Sequence, residues 1–323
     1  MKLNLRTICF IWMVVAFAVE GYCASREEHM LIMFWNLENF FDYTDGGEGE
    51  SDREFSSYGT RHWTKKRFYA KCDMVAKSIM WIGDSYGRMP DLIGLAEIEN
   101  KGVLLKLLKS TVLRKYDYEI VHYDSSDRRG IDVALMYRRS VMSVGSVSVV
   151  TPEYEGETLP TRDILHTQMH ISDSSAIDFI VNHHPSKYGG EDESESRRNA
   201  AMKALRSLCD SLGSRSVIAM GDFNDSPQGA SFRMIDDILI NMGQQLSERG
   251  EGSIRYEGKW ELIDMFLLGA GFEGKAEMDI CRIPFLMVRD SKHPGVRPLR
   301  TYSGPRYIGG VSDHCPVVLK LMK

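Results

Sequence analysis

The chain has 323 residues, 43% hydrophobic and 26% charged, which supports a large core and excludes global disorder. A formal net charge of -5 excludes a broad basic surface for gripping a polyanion, so an anionic substrate would have to be drawn by metal ions and a local patch.

Taken in order, Lys2 and Arg6 precede an apolar run from Ile8 to Val19, and small residues follow around Gly21, Ala24 and Ser25. That is the layout of a secretory signal over residues 1–24, cleaved between Gly21 and Ser25, and the run is short for a membrane span. Tyr22 is too bulky for the residue before a lipidated cysteine, which argues against an anchor on Cys23. The expectation is an exported protein, periplasmic or secreted and either released or held at an envelope, without stable membrane insertion. The remaining chain reads as one domain over residues 29–323, because no repeat, low-complexity tract or Pro-rich linker divides it.

Met30 to Trp35 (MLIMFW) predicts a buried strand ending in Asn36, Leu37 and Glu38. Asp42 to Gly59, rich in Gly, Asp, Glu and Ser, predicts an excursion over the surface. A helix follows from Thr64 as N-cap, with Phe68, Cys72, Val75 and Ile79 on one face. Asp91 to Ala96 predicts a second buried strand that stops at Glu97, with a short helix over Leu104 to Leu108. Strands are expected at Glu119–Tyr123, Ile131–Tyr137 and Val141–Val150, and a hairpin at Ile164–Ile171 and Ala176–Asn182 that runs out into His183 and His184.

A helix carrying Ala201, Leu205, Leu208 and Leu212 leads into Val217 to Met220, an unbroken apolar run that breaks at Gly221 into Asp222, Phe223, Asn224 and Asp225. If the strand period persists, Asp222 and Asn224 point to the same side. A further helix is expected near Phe232 to Ile240, then a strand at Leu262–Leu268 with Asp264 inside it, and a last strand at Cys315–Leu321 entered through Asp313 and His314. Without strict βαβ alternation, the fold class expected is α/β of the α+β kind, with mixed, mainly antiparallel sheets and outer helices.

Polar residues at strand ends or inside strands form one set: Asn36, Glu97, His183, Asp222, Asn224, Asp264, Asp313 and His314. Each alone has a plain explanation as a turn or surface residue, but a carboxylate in an apolar strand is costly without a partner. The set holds oxygen donors and two imidazoles, with no CxxC, GxSxG, P-loop or HExxH. Cys72, Cys209, Cys281 and Cys315 are widely spaced, so no zinc site is indicated, and disulfides or buried thiols are equally compatible.

Oxygen donors suit Mg²⁺, with Mn²⁺ or Ca²⁺ as substitutes. Attack of water on a phosphodiester needs charge neutralisation, a base and an acid. Glu97, with Asn36 and Asp313, could hold the metal; Asp222 and Asn224 could position water or phosphate; the imidazoles could move protons. Asp264 would fix the His314 tautomer and raise its pKa.

The motifs WNLEN, GLAEIEN, RGIDVALMY, VNHHPSKYGG, GDFND, ELIDMF and GVSDHCPV occur in an order that resembles the endonuclease/exonuclease/phosphatase superfamily, from about Met30 to the end. The resemblance implies a four-layer α/β/β/α sandwich of two packed sheets and Mg²⁺-dependent cleavage of phosphate esters at one end. It implies Asn36 and Glu97 as the metal-side pair, His183 as a first catalytic histidine and Asp222 with Asn224 as a GDxN pair. It further implies Asp264 as the acid behind the final histidine, Asp313 with His314 as the terminal pair, and Asp132 as the acid facing His183. Arg129 and Arg197 are implied phosphate contacts. RHWTKKRFYAK, TRDILH, RRNAA and LRTYSGPRYIGG are similar to a bacterial, exported branch, and Ala96 stands where repair nucleases often carry glutamine.

The function expected is therefore an exported, Mg²⁺-dependent nuclease acting on DNA or RNA, as a monomer. The alternative is a phosphatase or phosphodiesterase for small phosphoesters or phospholipid headgroups, sphingomyelinase-like or inositol-phosphate-like. A catalytically inactive binding protein is disfavoured by the intact set. Basic clusters at Lys65, Lys66 and Arg67, and at Arg197 and Arg198, read as solvated helix faces or as nucleic-acid contacts.

Overall fold

The computed structural model describes residues 29–44, 46–47, 49–171, 175–187 and 191–322, so the signal read over residues 1–24 lies outside the described residues. Chain order is β1 (His29–Phe40), α1 (Lys65–Ser85), β2 (Leu92–Ile98), α2 (Lys101–Ser110), β3 (Tyr118–His122), β4 (Asp132–Arg138), β5 (Met142–Val150), β6 (Ile164–Ile171), β7 (Ala176–His183), α3 (Glu191–Leu212), β8 (Val217–Asp222), β9 (Leu239–Asn241), α4 (Gln244–Glu248), β10 (Asp264–Gly269), β11 (Ala276–Ile280) and β12 (Val317–Met322). Two six-stranded sheets result, in the orders β11-β12-β1-β2-β4-β3 and β9-β10-β8-β7-β6-β5. β1 pairs parallel with β2, and β7 with β8; the other pairings within the two sheets are antiparallel.

Strand alternation makes the layers. Leu31, Met33 and Trp35 of β1 pack with Phe68, Cys72, Val75 and Ile79 of α1. Their neighbours Ile32 and Phe34 point the other way, into a core shared with Phe179, Val181, Ile218 and Met220 of the second sheet. On the far side, Val217 and Ala219 of β8 meet Met202, Leu205 and Cys209 of α3. Burying one such large side chain contributes about 1.5–3 kcal/mol, and three apolar layers of this kind produce an α/β/β/α sandwich. Gly94 of β2 lets the sheets close: a Cβ there would lie 2.6 Å from the Met220 sulfur.

The helix starts follow their caps. Thr64 accepts the Arg67 N–H at 3.4 Å, and Asn100 accepts the Val103 N–H at 3.1 Å. Cys72, Cys209, Cys281 and Cys315 are free thiols in the core. Among the described residues, no helix is long and apolar enough to cross a membrane.

One expectation of the fold is corrected. The helix near Phe232 to Ile240 is a 3₁₀ turn over Ala230–Met234 followed by β9. Phe232, Ile235 and Leu239 do bury together, but β10 needs an edge partner, and Leu239–Asn241 supplies it. The stretch after Asp42 runs over the surface as expected, with Thr44, Gly46, Gly47, Glu50, Arg53 and Tyr58 exposed, and it is pinned there by Phe55, which is buried and stacks on Phe41 at 4.8 Å, and by buried Asp52. β11 adds an edge strand beyond those expected, paired antiparallel with β12.

Candidate active site

The bulge at the end of β1 and the turn after β2 create the first half of the site. Between Asn36 and Phe40 the β1–β2 register shifts, and Glu38, Asn39 and Glu97 adopt left-handed backbone, with φ of 46°, 52° and 61°. The turn is held because the Asn39 N–H donates to Glu97 Oε2 at 2.7 Å, leaving Oε1 toward the cleft, 3.7 Å from Arg129 Nη1 and 3.9 Å from His183 Nε2.

The second half comes from the end of β8. Asp222 stands directly opposite His183 on one side and Asp264 on the other. Its Oδ1 accepts the Asn224 backbone N–H at 2.9 Å. Its Oδ2 accepts Asn36 Nδ2 at 3.0 Å and lies 3.6 Å from His183 Nε2 and 3.9 Å from His314 Nε2. His314 shares a hydrogen between Nδ1 and Asp264 Oδ2 at 2.8 Å. Trp35 Nε1 donates to the His314 carbonyl and Ser312 to the Asn36 carbonyl, tying the terminal segment to β1.

Burial sets three different proton affinities. Burial, reinforced by Arg162 and Arg129, drives His183 well below the usual histidine range, so it is neutral at neutral pH. For His314 burial acts in the same direction, but the Asp264 carboxylate outweighs it and holds the imidazole protonated, well above that range. Asp222 is pushed up from 3.8 to about 7, by burial first and then by Asp264. A neutral imidazole, an imidazolium and a carboxyl poised near neutrality thus meet within one cleft.

Of the residues selected from sequence, Asn36, Glu97, His183, Asp222, Asp264, His314, Asp313 and Arg129 come together. Asp313 is half-buried, held by Arg300 Nη2 at 3.0 Å and 3.7 Å from His314 Nε2. Asn224 is present through its backbone: strand periodicity ends at Asp222, φ at Asn224 is 50°, and the side-chain amide turns to the His184 carbonyl at 2.9 Å. Asp132 does not face His183. Its carboxylate takes His122 Nε2 at 3.1 Å and the Ser125 hydroxyl at 2.6 Å. Arg197 is not drawn in either, being exposed on α3 and paired with Glu193 one turn earlier. Lys65 and Lys66 are exposed in the first turn of α1, and Arg67 stacks over Tyr307 at 4.4 Å.

Two supporting networks were missed. Arg162 is buried behind the histidines, donating to Asp127 at 3.1 Å and to the His184 carbonyl at 2.7 Å. Its only sequence signal is the arginine of TRDILH immediately before β6. On the other flank, Arg300 joins Glu38 at 2.8 Å to Asp313, while the buried ammonium of Lys71 reaches the Glu38 carbonyl at 2.7 Å and Thr301 at 2.9 Å. These come from RHWTKKRFYAK and LRTYSGPRYIGG, which therefore fold against each other beside the cleft.

The donors fit a hard divalent cation. Glu97 Oε1 is directed into the cleft and the Asp313 carboxylate lies beside it as a second oxygen donor, whereas the protonated His314 imidazole is committed to Asp264 and offers no lone pair. Asp264 Oδ1 is buried without a partner. Asn36 Oδ1 accepts the Glu38 N–H at 2.9 Å, so it could ligate only through its remaining lone pair.

Residues 31–323 match the Endonuclease/Exonuclease/phosphatase family. The chain belongs to that family. Its enzymes are hydrolases of phosphoesters, generally dependent on divalent metals. No curated protein sequence matches the chain. Solved structures with the same fold include the human Nocturnin catalytic domain with bound sulfate, at TM-score 0.55 and 12% identity, covering 90% of this chain and 93% of that one. The D. rerio TDP2 complexed with single strand DNA product aligns at TM-score 0.54 and 14% identity over 92% of this chain and 100% of that one. A mannosyl-6-phosphatase from Bacteroides thetaiotaomicron aligns at TM-score 0.55 and 15% identity over 91% and 100%.

Proposed function

We propose that this family member is an exported, Mg²⁺-dependent phosphodiesterase, most simply a nuclease, in which Asp222 accepts a proton from the attacking water and His314 donates one to the leaving oxygen. The observation that carries the reading is Asp222 Oδ2, which faces two imidazoles of opposite protonation at 3.6 and 3.9 Å. Asp222 has the proton affinity a base needs near neutral pH. Asp264 keeps His314 charged and oriented. Neutral His183 can hydrogen-bond a phosphoryl oxygen without forming an ion pair that would have to be broken. Arg129, partly exposed beside Glu97, adds positive charge where the phosphate would enter. Glu97, Asn36 and Asp313 are the residues assigned to hold Mg²⁺, which when bound would neutralise the non-bridging oxygens.

The alternative, a phosphatase or phosphodiesterase for small phosphoesters, is favoured by one feature. Arg129, Arg162 and Arg300 are each matched to carboxylates, which leaves little excess positive charge for a long polyanion. The mannosyl-6-phosphatase among the structural neighbours is consistent with it. Purified protein with Mg²⁺, with and without chelator, would be tested on plasmid DNA, RNA, sphingomyelin, an inositol phosphate and a generic phosphodiester. Plasmid nicking abolished by His183→Ala and weakened by salt supports the nuclease. Salt-insensitive hydrolysis of a small ester supports the alternative, and no hydrolysis under several metals removes both. Export is tested separately by the N-terminal sequence and compartment of the mature protein.

A further inference from the structure

Two residues beyond Glu97 lies a carboxylate that the cleft does not use. Glu99 is buried, and its Oε2 accepts the Asp42 backbone N–H. Asp52, on the loop between β1 and α1, is 2% exposed. Its Oδ2 accepts the N–H groups of Gly46 at 3.0 Å and Gly47 at 2.8 Å, while its Oδ1 is buried with only the Glu99 carboxyl to share a hydrogen with. A Cβ at Gly47 would lie 3.3 Å from Asp52 Oδ1 and 3.2 Å from Glu99 Oε1, so the two unassigned oxygens border one spot. That spot borders a cavity of about 720 Å³ that Asp124, Asp127 and Asp132 also line.

Nearby cations are engaged elsewhere. Lys106 is on Asp42, Arg128 is on Glu50 at 2.8 Å, and Arg162 is on Asp127 at 3.1 Å. Asp132 has His122 and Ser125. The imbalance is therefore concentrated at Asp52 and Glu99. Two adjacent buried carboxylates are stable only if a proton is shared between them or a cation lies between them.

We propose that Asp52 and Glu99 form a second divalent-cation site, of the Ca²⁺ class, that fastens the loop after β1 to the strand end carrying Glu97. Backbone N–H groups already fix the outer oxygen of each carboxylate, so the inner oxygens are preset. Asp52 Oδ1 and Glu99 Oε1 face the spot, Arg128 on the cavity lining is paired with Glu50, and the cavity has room for the water that completes a coordination of six to eight. Mg²⁺ demands a tighter octahedron than two carboxylates on a glycine-containing loop provide, which favours the larger ion. Few protein ligands imply weak binding, about 0.1–1 mM, the range of extracellular modules. The site stands apart from the phosphodiesterase reading and does not depend on it.

The test uses the full chain in saturating Mg²⁺, titrated with CaCl₂ by calorimetry and followed by thermal unfolding. One Ca²⁺ per chain is expected, with Tm rising by about 2–4 °C at several times the Kd. Asp52→Asn and Glu99→Gln should each abolish binding and shift, while Glu97→Gln should retain both. A wild type insensitive to Ca²⁺, or an Asp52→Asn variant with an unchanged shift, overturns the proposal; Ca²⁺ insensitivity is the result a shared proton predicts. If either variant fails to fold, Ca²⁺ stoichiometry in the Glu97→Gln protein decides: one ion supports the site and none refutes it.

Discussion

Asp264→Asn is the sharpest test of the proposed acid. In the native protein, Asp264 and His314 are buried together and joined at 2.8 Å, and the carboxylate outweighs the burial that otherwise pulls His314 down. Asparagine keeps the shape and can still accept the Nδ1 hydrogen, but it removes the charge. Burial then weighs more heavily, with only Asp313 and Asp222 left to favour the charged form, and the His314 pKa falls. Losing a positioned proton donor should lower kcat by about 10²–10⁴, a barrier increase of roughly 3–5 kcal/mol. The charge-assisted hydrogen bond itself contributes about 1.5–3 kcal/mol to folding, so a lower Tm is expected as well. Asp264 is also the second cause of the raised Asp222 pKa and outweighs the opposing His314 charge that weakens with it, so the rising limb of the pH–rate profile should shift modestly to lower pH. The assay is kcat and KM on a generic phosphodiester across pH. An unchanged kcat with an unshifted limb would refute the assignment, because loss of packing alone moves neither.

Glu97→Gln should weaken activation by Mg²⁺ by at least about ten-fold in the metal concentration required, by analogy with other carboxylate ligands, and metal titration of the rate measures it. In metal-free protein, the Asp222 pKa raised from 3.8 to about 7 means the folded state holds that proton more tightly than the unfolded one. Its contribution to stability is present at low pH and lost as pH climbs from 3.8 through about 7. Urea unfolding across that window should therefore show a steeper loss for wild type than for Asp222→Asn, and parallel curves would contradict it. Gly94→Ala would place a Cβ 2.6 Å from the Met220 sulfur, and overpacking of this kind costs about 1–3 kcal/mol. A Tm equal to that of wild type would show that Met220 can move aside.

The buried strands were legible because their signals are local. MLIMFW, DLIGLA and SVIAM are apolar runs that end abruptly in polar residues, and β1, β2 and β8 follow them closely. What escaped detection depends on partners. β9 is a strand because β10 offers an open edge, whatever helical spacing Phe232, Ile235 and Leu239 display. Asp132 looked like a site residue from its motif, yet His122 on the neighbouring strand and Ser125 in the intervening turn claim its carboxylate. Arg162 and Lys71 were invisible as site residues because nothing in one dimension distinguishes a buried arginine or lysine from an exposed one. The order of the motifs carried the cleft, and the electrostatic support behind it needed coordinates.

The parallel pairs explain why these side chains meet. In an antiparallel pair, the end of one strand lies beside the start of its neighbour, so two apolar runs with polar C-terminal ends would aim those ends in opposite directions. β1 beside β2 and β7 beside β8 each bring two C-terminal ends to the same edge, setting Asn36 next to Ala96 and Glu97, and Asp222 opposite His183. Packed face to face through Phe34, Phe179, Ile218 and Met220, the two sheets then bring those edges within hydrogen-bond reach, as Asn36 and Asp222 demonstrate at 3.0 Å. Because side chains alternate along a strand, a slip of one residue in β8 would turn Asp222 to the opposite face of the sheet and send Ile218 and Met220 out of the core. The apolar alternation that stabilises the sandwich thereby fixes the register of the cleft, and left-handed backbone at Glu97 and Asn224 marks where the strands stop following that alternation to serve the site.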